Sequence, residues 1–275
     1  DDWRRNNVNI LVERLSLTIK EVKPWVKFGI SPFGVWRNKS QDPEGSDTKA
    51  GQTNYDDLFA DVLLWQQRGW LDYLVPQIYW HIGFELADYQ TLTKWWSKHD
   101  YDRHVYIGQA AHRITRWERP EEMGDHLRLA EKYETINGNV YFSAKSLMRN
   151  PLGFSDTLRN TFYRYPATIP SMPWLDRSTP ENIENLQIRK LKRGVLLNWE
   201  GSGSGDCREY VVIRSKRKID SDNLEKYPII ARIRNPERLY EDVTVRKFRK
   251  YYYTVLAVDR AGNFSQPSNV ESIRY

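Results

Sequence analysis

Two stretches of this sequence end in the same way, and together they constrain the fold more than any other feature. Residues 26–38 read VKFGISPFGVWRN, and residues 71–81 read LDYLVPQIYWH. In each stretch, apolar residues predict a buried strand that gives way to aromatic and polar side chains. Strand ends of this kind are typical of barrel enzymes, whose sites lie at the carboxyl ends of the strands.

Residues 1–165 alternate predicted helices with predicted strands. The first helix is predicted over about residues 6–22, with an inward face of Val8, Leu11, Leu15, Ile19 and Val22. Strands are predicted at 26–34, 71–80, 104–109 and 139–145, and Asn54 is predicted to cap the second helix. Strands that are each followed by a helix favour parallel pairing with right-handed crossovers. The pattern therefore predicts an α/β fold, with four βα units that make half of an eight-stranded barrel.

The pattern changes after residue 165. Residues 166–180, PATIPSMPWLDRSTP, hold four prolines and no periodicity, which predicts a proline-rich linker. Residues 181–275 then alternate in short runs that predict an all-β sandwich. Trp199 on the second predicted strand and the tyrosine run before VLAVDRAGN are typical of a fibronectin type III-like domain. Its core is predicted around Trp199, Val211, Tyr253 and Val255.

Composition favours a carbohydrate ligand. The chain has 11 Trp and 17 Tyr, and an aromatic ring can lie against the C–H face of a sugar. The net charge is +6, and basic runs after residue 186 alternate with strand residues, which predicts a solvated sheet face. Nucleic acid is not an expected partner, because the sequence has no zinc-ligand cluster, recognition-helix pattern or phosphate loop. No apolar run reaches the roughly 18 residues that cross a bilayer.

Cys207 is the single cysteine, so it forms no internal disulfide and leaves the cellular compartment open. No signal peptide is recognised, and the chain is therefore interpreted as a mature form, a trimmed form or a fragment.

Four segments closely resemble the bacterial glycosyl-hydrolase-like family 10. They are FGISPFGVWRN, the GSDTKAG loop at 45–51, YDDLFADVLLW and YLVPQIYWH. The resemblance covers about residues 1–165 and implies an exported TIM-barrel protein, often a lipoprotein, that cuts glycan strands of peptidoglycan. A fibronectin-like domain follows the barrel in some members. The implied location is the bacterial cell envelope, whether periplasmic, on an outer-membrane lipoprotein or extracellular.

One motif of the family has no match in this chain. The fourth barrel strand of the family ends in an Asp-Asp-Tyr-Phe-Tyr type motif, which is expected to supply catalytic carboxylate. Here Asp1-Asp2-Trp3-Arg4-Arg5 resembles only the segment before the following helix. The resemblance thus implies that residues 1–165 are the C-terminal half of a (β/α)8 TIM barrel. The expected macromolecular partner is the missing N-terminal half or a second copy of the chain.

Glycoside hydrolysis needs two carboxyl groups, and few are available at the predicted strand ends. Glu85, which follows the second strand, is the predicted catalytic carboxylate; its alternative role is to stabilise the dipole of a helix first turn. Arg37 is predicted to hold a substrate carboxylate, or else to close its own loop with Asp47. Trp36 and Trp80 are predicted stacking platforms, with barrel-mouth packing as the alternative.

The complete predicted substrate-binding set is Trp36, Arg37, Asn38, Gln77, Tyr79, Trp80 and His81. Gln77, Tyr79 and His81 can hydrogen-bond sugar hydroxyls, and His112 is interpreted as a solvated loop histidine. His81, Glu85 and His112 do not form a recognised metal-ligand spacing, and no cofactor is expected.

The predicted function is hydrolysis of cell-wall glycan by carboxylate acid/base chemistry, in a chain that is itself an incomplete fragment. The alternative is a non-catalytic glycan-binding module that keeps Trp36, Arg37 and Trp80 as a lectin-like surface.

Overall fold

The computed structural model describes residues 1–201 and 206–275. Within them the chain divides into two compact units, Asp1–Leu158 and Arg159–Tyr275. The proline-rich residues 166–180 belong to the second unit.

The first unit alternates helices with short strands. Its helices are α1 (Asp2–Val22), α2 (Val62–Gln67), α3 (Tyr89–Trp96), α4 (Glu122–Ala130), α5 (Ala144–Met148) and α6 (Phe154–Thr157). Its strands are β1 (Gly29–Ile30), β2 (Tyr73–Leu74), β3 (His104–Gln109) and β4 (Ile136–Tyr141). The strands form one parallel sheet in the order β1-β2-β3-β4, which confirms the predicted parallel pairing in chain order. Short 3-10 helices lie at Ala111–Arg113 and Pro151–Gly153, and a π-helical turn at Leu158–Phe162 begins at the last residue of this unit.

The first two strands are shorter than their predicted ranges, 26–34 and 71–80. Each predicted range contains a proline, which has no amide hydrogen to donate to the hydrogen-bond ladder of the sheet. Pro32 and Pro76 therefore only accept, from the amides of Gln77 at 3.0 Å and Gly108 at 2.9 Å. Beyond the prolines the pairing continues as isolated bridges from Gln77 to Phe33 and to Gly108. The sheet thus extends to the chain segments that carry the predicted site.

Helix α1 presents a different face from the one predicted. Its buried residues are Arg5, Val12 and Ser16, whereas the predicted inward residues Leu11 and Val22 are 57% and 68% exposed. The inward face contacts the loop and helix that follow β1. Arg5 donates to the carbonyl of Tyr55 at 2.8 Å, and Asn9 accepts from the indole of Trp65 at 2.7 Å. Leu11, Leu15 and Val22 of the predicted inward face therefore lie in solvent, whereas Val8 packs partly against the core.

Helix α2 begins later than Asn54, the predicted cap. Asp61 caps it instead, by accepting the amide of Leu64 at 3.2 Å. Asn54 is buried and holds the loop after β1: its side chain donates to the carbonyls of Phe33 and Val35 and accepts the amide of Phe33. Because its amide group satisfies that loop, Asn54 cannot also cap a helix.

The core of the first unit lies between the sheet and α2 and α3. Leu74, Ile78 and Ile107 come from the sheet and its extensions, and Trp65 and Trp96 come from the helices. All five side chains are at most 3% exposed. This packing fixes the carboxyl ends of the strands relative to the loops around them.

The second unit is a sandwich of two antiparallel sheets. Its strands are β5 (Glu184–Lys190), β6 (Val195–Glu200), β7 (Glu209–Ser215), β8 (Ile229–Arg234), β9 (Leu239–Asp242), β10 (Lys250–Val258) and β11 (Glu271–Arg274), with a single helical turn at Leu224–Lys226. They form one sheet in the order β5-β6-β9 and another in the order β11-β10-β7-β8. The predicted all-β sandwich is confirmed.

The core between these sheets includes Trp199, Tyr210, Tyr253 and Val255, all at most 3% exposed. Val211, which was also predicted for this core, belongs to a separate apolar cluster. Successive residues of a strand point to opposite faces of the sheet, so Tyr210 enters the sandwich while Val211 leaves it.

Candidate substrate site at the strand ends

Aromatic rings follow all the strands of the parallel sheet at their carboxyl ends. We call this set the aromatic rim: Phe33 after β1, Tyr79, Trp80 and Phe84 after β2, His112 after β3, and Phe142 after β4. Parallel strands end at the same edge, so the rim marks the edge where barrel enzymes place their sites.

The rings of the rim contact one another in two groups. Trp80 meets Phe33 edge to face, with centroids 5.4 Å apart, and stacks with Phe84 at 6.5 Å. Tyr79 lies 5.5 Å from His112 and 6.2 Å from Phe142. Phe142 is 57% exposed, and the other rings of the rim are partly exposed. The rim therefore offers apolar ring surface to a ligand.

Burial changes the pKa of one polar group of the aromatic rim, the hydroxyl of Tyr79. It raises the pKa of the Tyr79 hydroxyl, against a smaller opposing effect of the Arg113 charge. Arg113 also donates to the carbonyl of Tyr79 at 3.2 Å. The Tyr79 hydroxyl therefore keeps its proton and can donate to a sugar oxygen.

Trp36 is not an open stacking platform, contrary to the prediction. Its side chain is 8% exposed and lies in the core of the first unit. The indole stacks on Trp95, with centroids 6.0 Å apart, and meets Tyr55 edge to face at 5.7 Å. The ring is therefore buried among protein side chains, as the alternative of barrel-mouth packing predicts.

Arg37 is engaged by carboxylates of its own loop, although not by Asp47. Its Nε and Nη2 donate to Asp56 at 3.0 and 2.9 Å, and its Nη1 donates to Asp42 at 2.7 Å. Burial would lower the pKa of Arg37, but the hydrogen bonds and charges of Asp56 and Asp42 raise it. A substrate carboxylate would have to displace this bidentate pair, so Arg37 is a loop clamp.

Asn38 and Gln77 also have structural partners. The buried Asn38 side chain accepts from Thr48 at 2.8 Å and donates to Gln41 at 3.0 Å, so all of its capacity serves the loop. The Gln77 amide donates to the carbonyl of Ser31 at 2.9 Å, which leaves its oxygen as an acceptor toward the rim.

Glu85 and His81 lie in solvent. The Glu85 side chain is 82% exposed, and its carboxylate is 3.4 Å from the Lys49 amine, which is 73% exposed. Ion pairs between exposed side chains of this kind contribute little to the free energy of folding. Glu85 therefore lacks the apolar shielding by which enzymes tune a catalytic acid. The His81 ring packs edge-on against Phe84 at 5.4 Å and contacts the carbonyl of Ile82, so one ring nitrogen remains available to a ligand.

A buried polar network behind the rim was not predicted. Glu122 accepts the amide of Ile82 at 2.6 Å and contacts the imidazole of His126 at 3.1 Å. The other nitrogen of His126 contacts Gln109, the last residue of β3, at 3.3 Å. Glu122, His126 and Gln109 are at most 3% exposed, so they fix the loop after β2 from within. Glu122 and His126 are four residues apart on α4, so they lie on one helix face. This spacing could have predicted their contact from the sequence.

The His126–Glu122 pair predicts acid sensitivity of the first unit. Burial lowers the pKa of His126 below 6.5, despite the opposing effect of Glu122. Burial raises the pKa of Glu122, but His126 and the Ile82 amide outweigh it, so the net pKa is lowered. Depressed folded pKa values mean that the unfolded chain binds more protons, so stability falls as pH drops below about 6.5.

We expect the urea midpoint of the first unit to decrease on acidification below that pH, and the His126→Gln variant to show a smaller decrease. The control is His112→Gln, on the partly exposed His112. Equal pH dependence in the wild type and His126→Gln would contradict the assignment.

A cleft of about 350 Å³ adjoins this network in the first unit. It is lined by His81, Ile82, Arg116, Trp117, Glu118, Arg119 and Glu122. It combines an indole, guanidinium groups and carboxylates, which are groups that bind polar ligands with apolar faces.

Carboxyl groups with perturbed pKa in the first unit do not form a recognisable acid pair. Among the described residues there, burial raises the pKa of Asp61, the cap of α2, while that of Glu122 is lowered. The described carboxyl groups of the first unit therefore do not by themselves make an acid/base site.

One acidic cluster of the second unit has the spacing of metal ligands. Asp176, Asp206 and Asp259 place carboxylate oxygens within 4.8 Å of one another. Burial raises the pKa of Asp206, and the charges of Asp259 and Asp176 raise it further. Clustered acids alone do not define an ion site, and we assign no metal to them.

No helix in the described part of the chain has the length and apolarity to cross a membrane.

Comparisons with known proteins show which proteins this chain is similar to. Residues 1–123 match the family described as Glycosyl hydrolase-like 10, which confirms the resemblance predicted from the sequence motifs. The chain is 43% identical to Glycosyl hydrolase YngK of Bacillus subtilis (strain 168), over 98% of this chain and 54% of that protein. It is 42% identical to Glycosyl hydrolase DigH of Escherichia coli (strain K12), over 51% of this chain and 35% of that protein.

The chain thus spans about half the length of the first of these relatives. A solved Fn3-like protein from Clostridium thermocellum is 25% identical and covers 36% of this chain and 95% of its own length, with a TM-score of 0.30.

Proposed function

We propose that residues 1–165 form the C-terminal half of a (β/α)8 barrel glycoside hydrolase that acts on peptidoglycan strands. The observation that carries this proposal is the aromatic rim, because every strand of the parallel sheet ends in an aromatic side chain at one edge. The family match of residues 1–123 supports the same reaction class. The substrate would place the protein in the bacterial cell envelope.

Exposed apolar side chains at both sides of the sheet support the half-barrel proposal. On the side of β1, Leu11, Val22 and Trp25 are 57%, 68% and 49% exposed. On the side of β4, Met148 and Leu152 are 86% and 58% exposed. Among the described strands, β1 and β4 each have one neighbour. Further βα units would cover these side chains and close the sheet, whether from a complementary half or from a second copy.

The proposed mechanism divides the chemistry between the two halves. Trp80, Tyr79 and Phe142 hold sugar rings, and His81 and Gln77 orient their hydroxyls. The carboxyl groups that protonate the leaving oxygen and activate the nucleophile come chiefly from the complementary half. Glu85 is a proposed contributor whose exposure would change if that half covered it. No cofactor takes part in this proposal.

A second function is favoured by one observation. Among the described carboxyl groups of the first unit, Glu122 is engaged by Ile82 and His126, and Glu85 is exposed. A rim without an acid pair would make the chain a glycan-binding module. Both functions require sugar binding at the rim, and only the first requires turnover.

Trp80→Ala tests the shared requirement. Loss of a stacking indole is expected to weaken binding of soluble peptidoglycan strands about tenfold, or about 1.4 kcal/mol, by calorimetry. The matched control is Trp3→Ala, since Trp3 is 75% exposed on α1 and outside the rim. Unchanged affinity in folded Trp80→Ala, or an equal loss in Trp3→Ala, would refute the rim as the sugar site.

A further inference from the structure

Basic residues of the second unit converge at one end of the sandwich. The strand pairing is antiparallel, so the end of β5 meets the start of β6 at Lys190 and Val195, and the start of β10 meets the end of β11 at Lys250 and Arg274. The basic runs after residue 186, which the sequence pattern predicts on a solvated sheet face, therefore lie largely at the ends of the strands. We call this set the basic pole: Lys190, Lys192, Arg193, Lys216, Arg217, Lys218, Arg246, Lys247, Arg249, Lys250 and Arg274.

Hydrogen bonds join the chain segments of the basic pole. The Tyr275 hydroxyl accepts the amide of Gly194 at 2.9 Å, and the Lys190 amine lies 5.1 Å from the Tyr275 ring. The carbonyl of Tyr275 accepts the amide of Phe248 at 2.6 Å. The turn after β5 and the loop before β10 therefore form one continuous surface.

The segment after β7 adjoins the same surface. Ser215, the last residue of β7, pairs with Tyr252 near the start of β10. Residues 216–218, which read Lys-Arg-Lys, follow directly and are all exposed.

The charge of the basic pole is not neutralised locally. None of its eleven side chains forms an ion pair with a carboxylate in residues 1–201 or 206–275. Asp242, at the end of β9, is fully buried and bonded to Arg214, so it does not face the pole surface. The whole chain has a net charge of +6, so the pole carries more positive charge than the chain as a whole. A partner of opposite charge is indicated.

An apolar side chain stands among these charges. Phe248 is 85% exposed, between Lys247 and Arg249, and Val243 of the same loop is 65% exposed. Phe248 packs into neither apolar core of the sandwich. A ring held in water gains free energy by entering an apolar phase, so the partner offers both negative charge and apolar material.

We propose that the basic pole docks on the surface of an anionic phospholipid membrane, with Phe248 entering the headgroup–acyl boundary. Basic clusters are attracted to anionic lipid, and an adjacent aromatic side chain adds apolar insertion. A phosphate polymer such as DNA would satisfy the charges but would not require Phe248. This interaction is independent of the proposed glycosidase activity.

The test is co-sedimentation of the full chain with phosphatidylcholine vesicles that do or do not contain phosphatidylglycerol, at about 0.1 M salt. Binding is expected only to the anionic vesicles. Arg246→Gln with Lys247→Gln should weaken it about 25-fold, since each basic residue near the surface contributes about 1 kcal/mol. Phe248→Ser should weaken vesicle binding about tenfold and leave the affinity for double-stranded DNA unchanged.

The matched control is Arg208→Gln with Arg234→Gln, which removes the same charge from exposed positions at the opposite end of the sandwich. We expect its binding to remain within about twofold of the wild type. Absence of binding to anionic vesicles, equal binding to neutral vesicles, or equal losses in the two double variants would overturn the proposal. So would vesicle binding that folded Phe248→Ser leaves unchanged, because a soluble polyanion would then be the better partner.

Discussion

Hydrolysis of peptidoglycan strands is expected to rise at least about 100-fold when a complementary half-barrel is supplied to this chain, because general acid catalysis alone contributes that much. A suitable source is the part of the Bacillus subtilis relative YngK that this chain does not cover, expressed as a separate polypeptide. The measurement is the appearance of new reducing ends in strands stripped of their peptides. Glycan binding by the chain alone should persist.

Variants of Glu85 and Trp80 sharpen this experiment. In the reconstituted protein, Trp80→Ala should lower turnover, while Trp3→Ala should not. Strong turnover by the chain alone, abolished by Glu85→Gln, would show that the catalytic pair lies within these residues and would refute the half-barrel mechanism. Binding without turnover in the reconstituted barrel would favour the glycan-binding module instead.

Replacing Asp242 by alanine is expected to destabilise the second unit by about 3–5 kcal/mol, the usual effect of breaking a buried ion pair. Asp242 is fully buried, accepts from Arg214 at 2.6 Å and from the hydroxyl of Tyr253 at 2.9 Å, and also binds Thr244. The variant would leave the Arg214 charge and the Tyr253 hydroxyl without this acceptor. Hydrogen exchange of residues 209–258 measures the loss within the second unit.

Glu241→Ala is the control, because Glu241 is an exposed neighbour on the same strand and should shift stability by no more than about 0.5 kcal/mol. A loss below 1 kcal/mol in Asp242→Ala would contradict the assigned role.

The ionised state of Asp242 also has a pH signature. Burial raises its pKa, but hydrogen bonds from Thr244 and Arg214 outweigh burial and lower it overall. Its contribution is therefore complete above the unfolded pKa of about 3.9 and is lost as pH falls through the folded value.

The periodicity of apolar residues in the sequence predicts most of the secondary structure and the sheet types of both units. The four βα units of the first half and the sandwich of the second follow from alternation and helix spacing alone, and the structure has both. The failures have physical causes. The pattern of α1 identified an apolar face but not what covers it, so Leu11 and Val22 were placed inward although they lie in solvent. Asn54 is a strong helix-cap residue in isolation, yet three-dimensional contacts with Phe33 and Val35 decide its role.

The site was predictable in part for the same reason. Tyr79, Trp80 and His81 lie where strand-end reasoning places them, because the end of a strand is a local property. The partner that a side chain binds is not a local property, because it depends on how the chain folds. Nothing in the sequence distinguishes Asp42 and Asp56 from Asp47 as partners of Arg37, since the loop path decides which carboxylates it meets. The sequence pattern does not reveal the network of Glu122 and His126, because Glu122 binds the amide of Ile82 and His126 contacts Gln109, and both partners lie on other chain segments.

The packing of Trp36 has an optical consequence. Trp36 stacks on Trp95 at an interplanar angle of 16°, and Trp95 meets Trp96 at 88° with centroids 4.9 Å apart. The electronic transitions of indoles held this close couple with one another, so the three rings contribute to circular dichroism as a group. Nine of the 11 tryptophans lie in residues 1–158, whereas the second unit has only Trp174 and Trp199. The tryptophan contribution to the near-ultraviolet spectrum of the intact chain therefore reports mainly on the first unit.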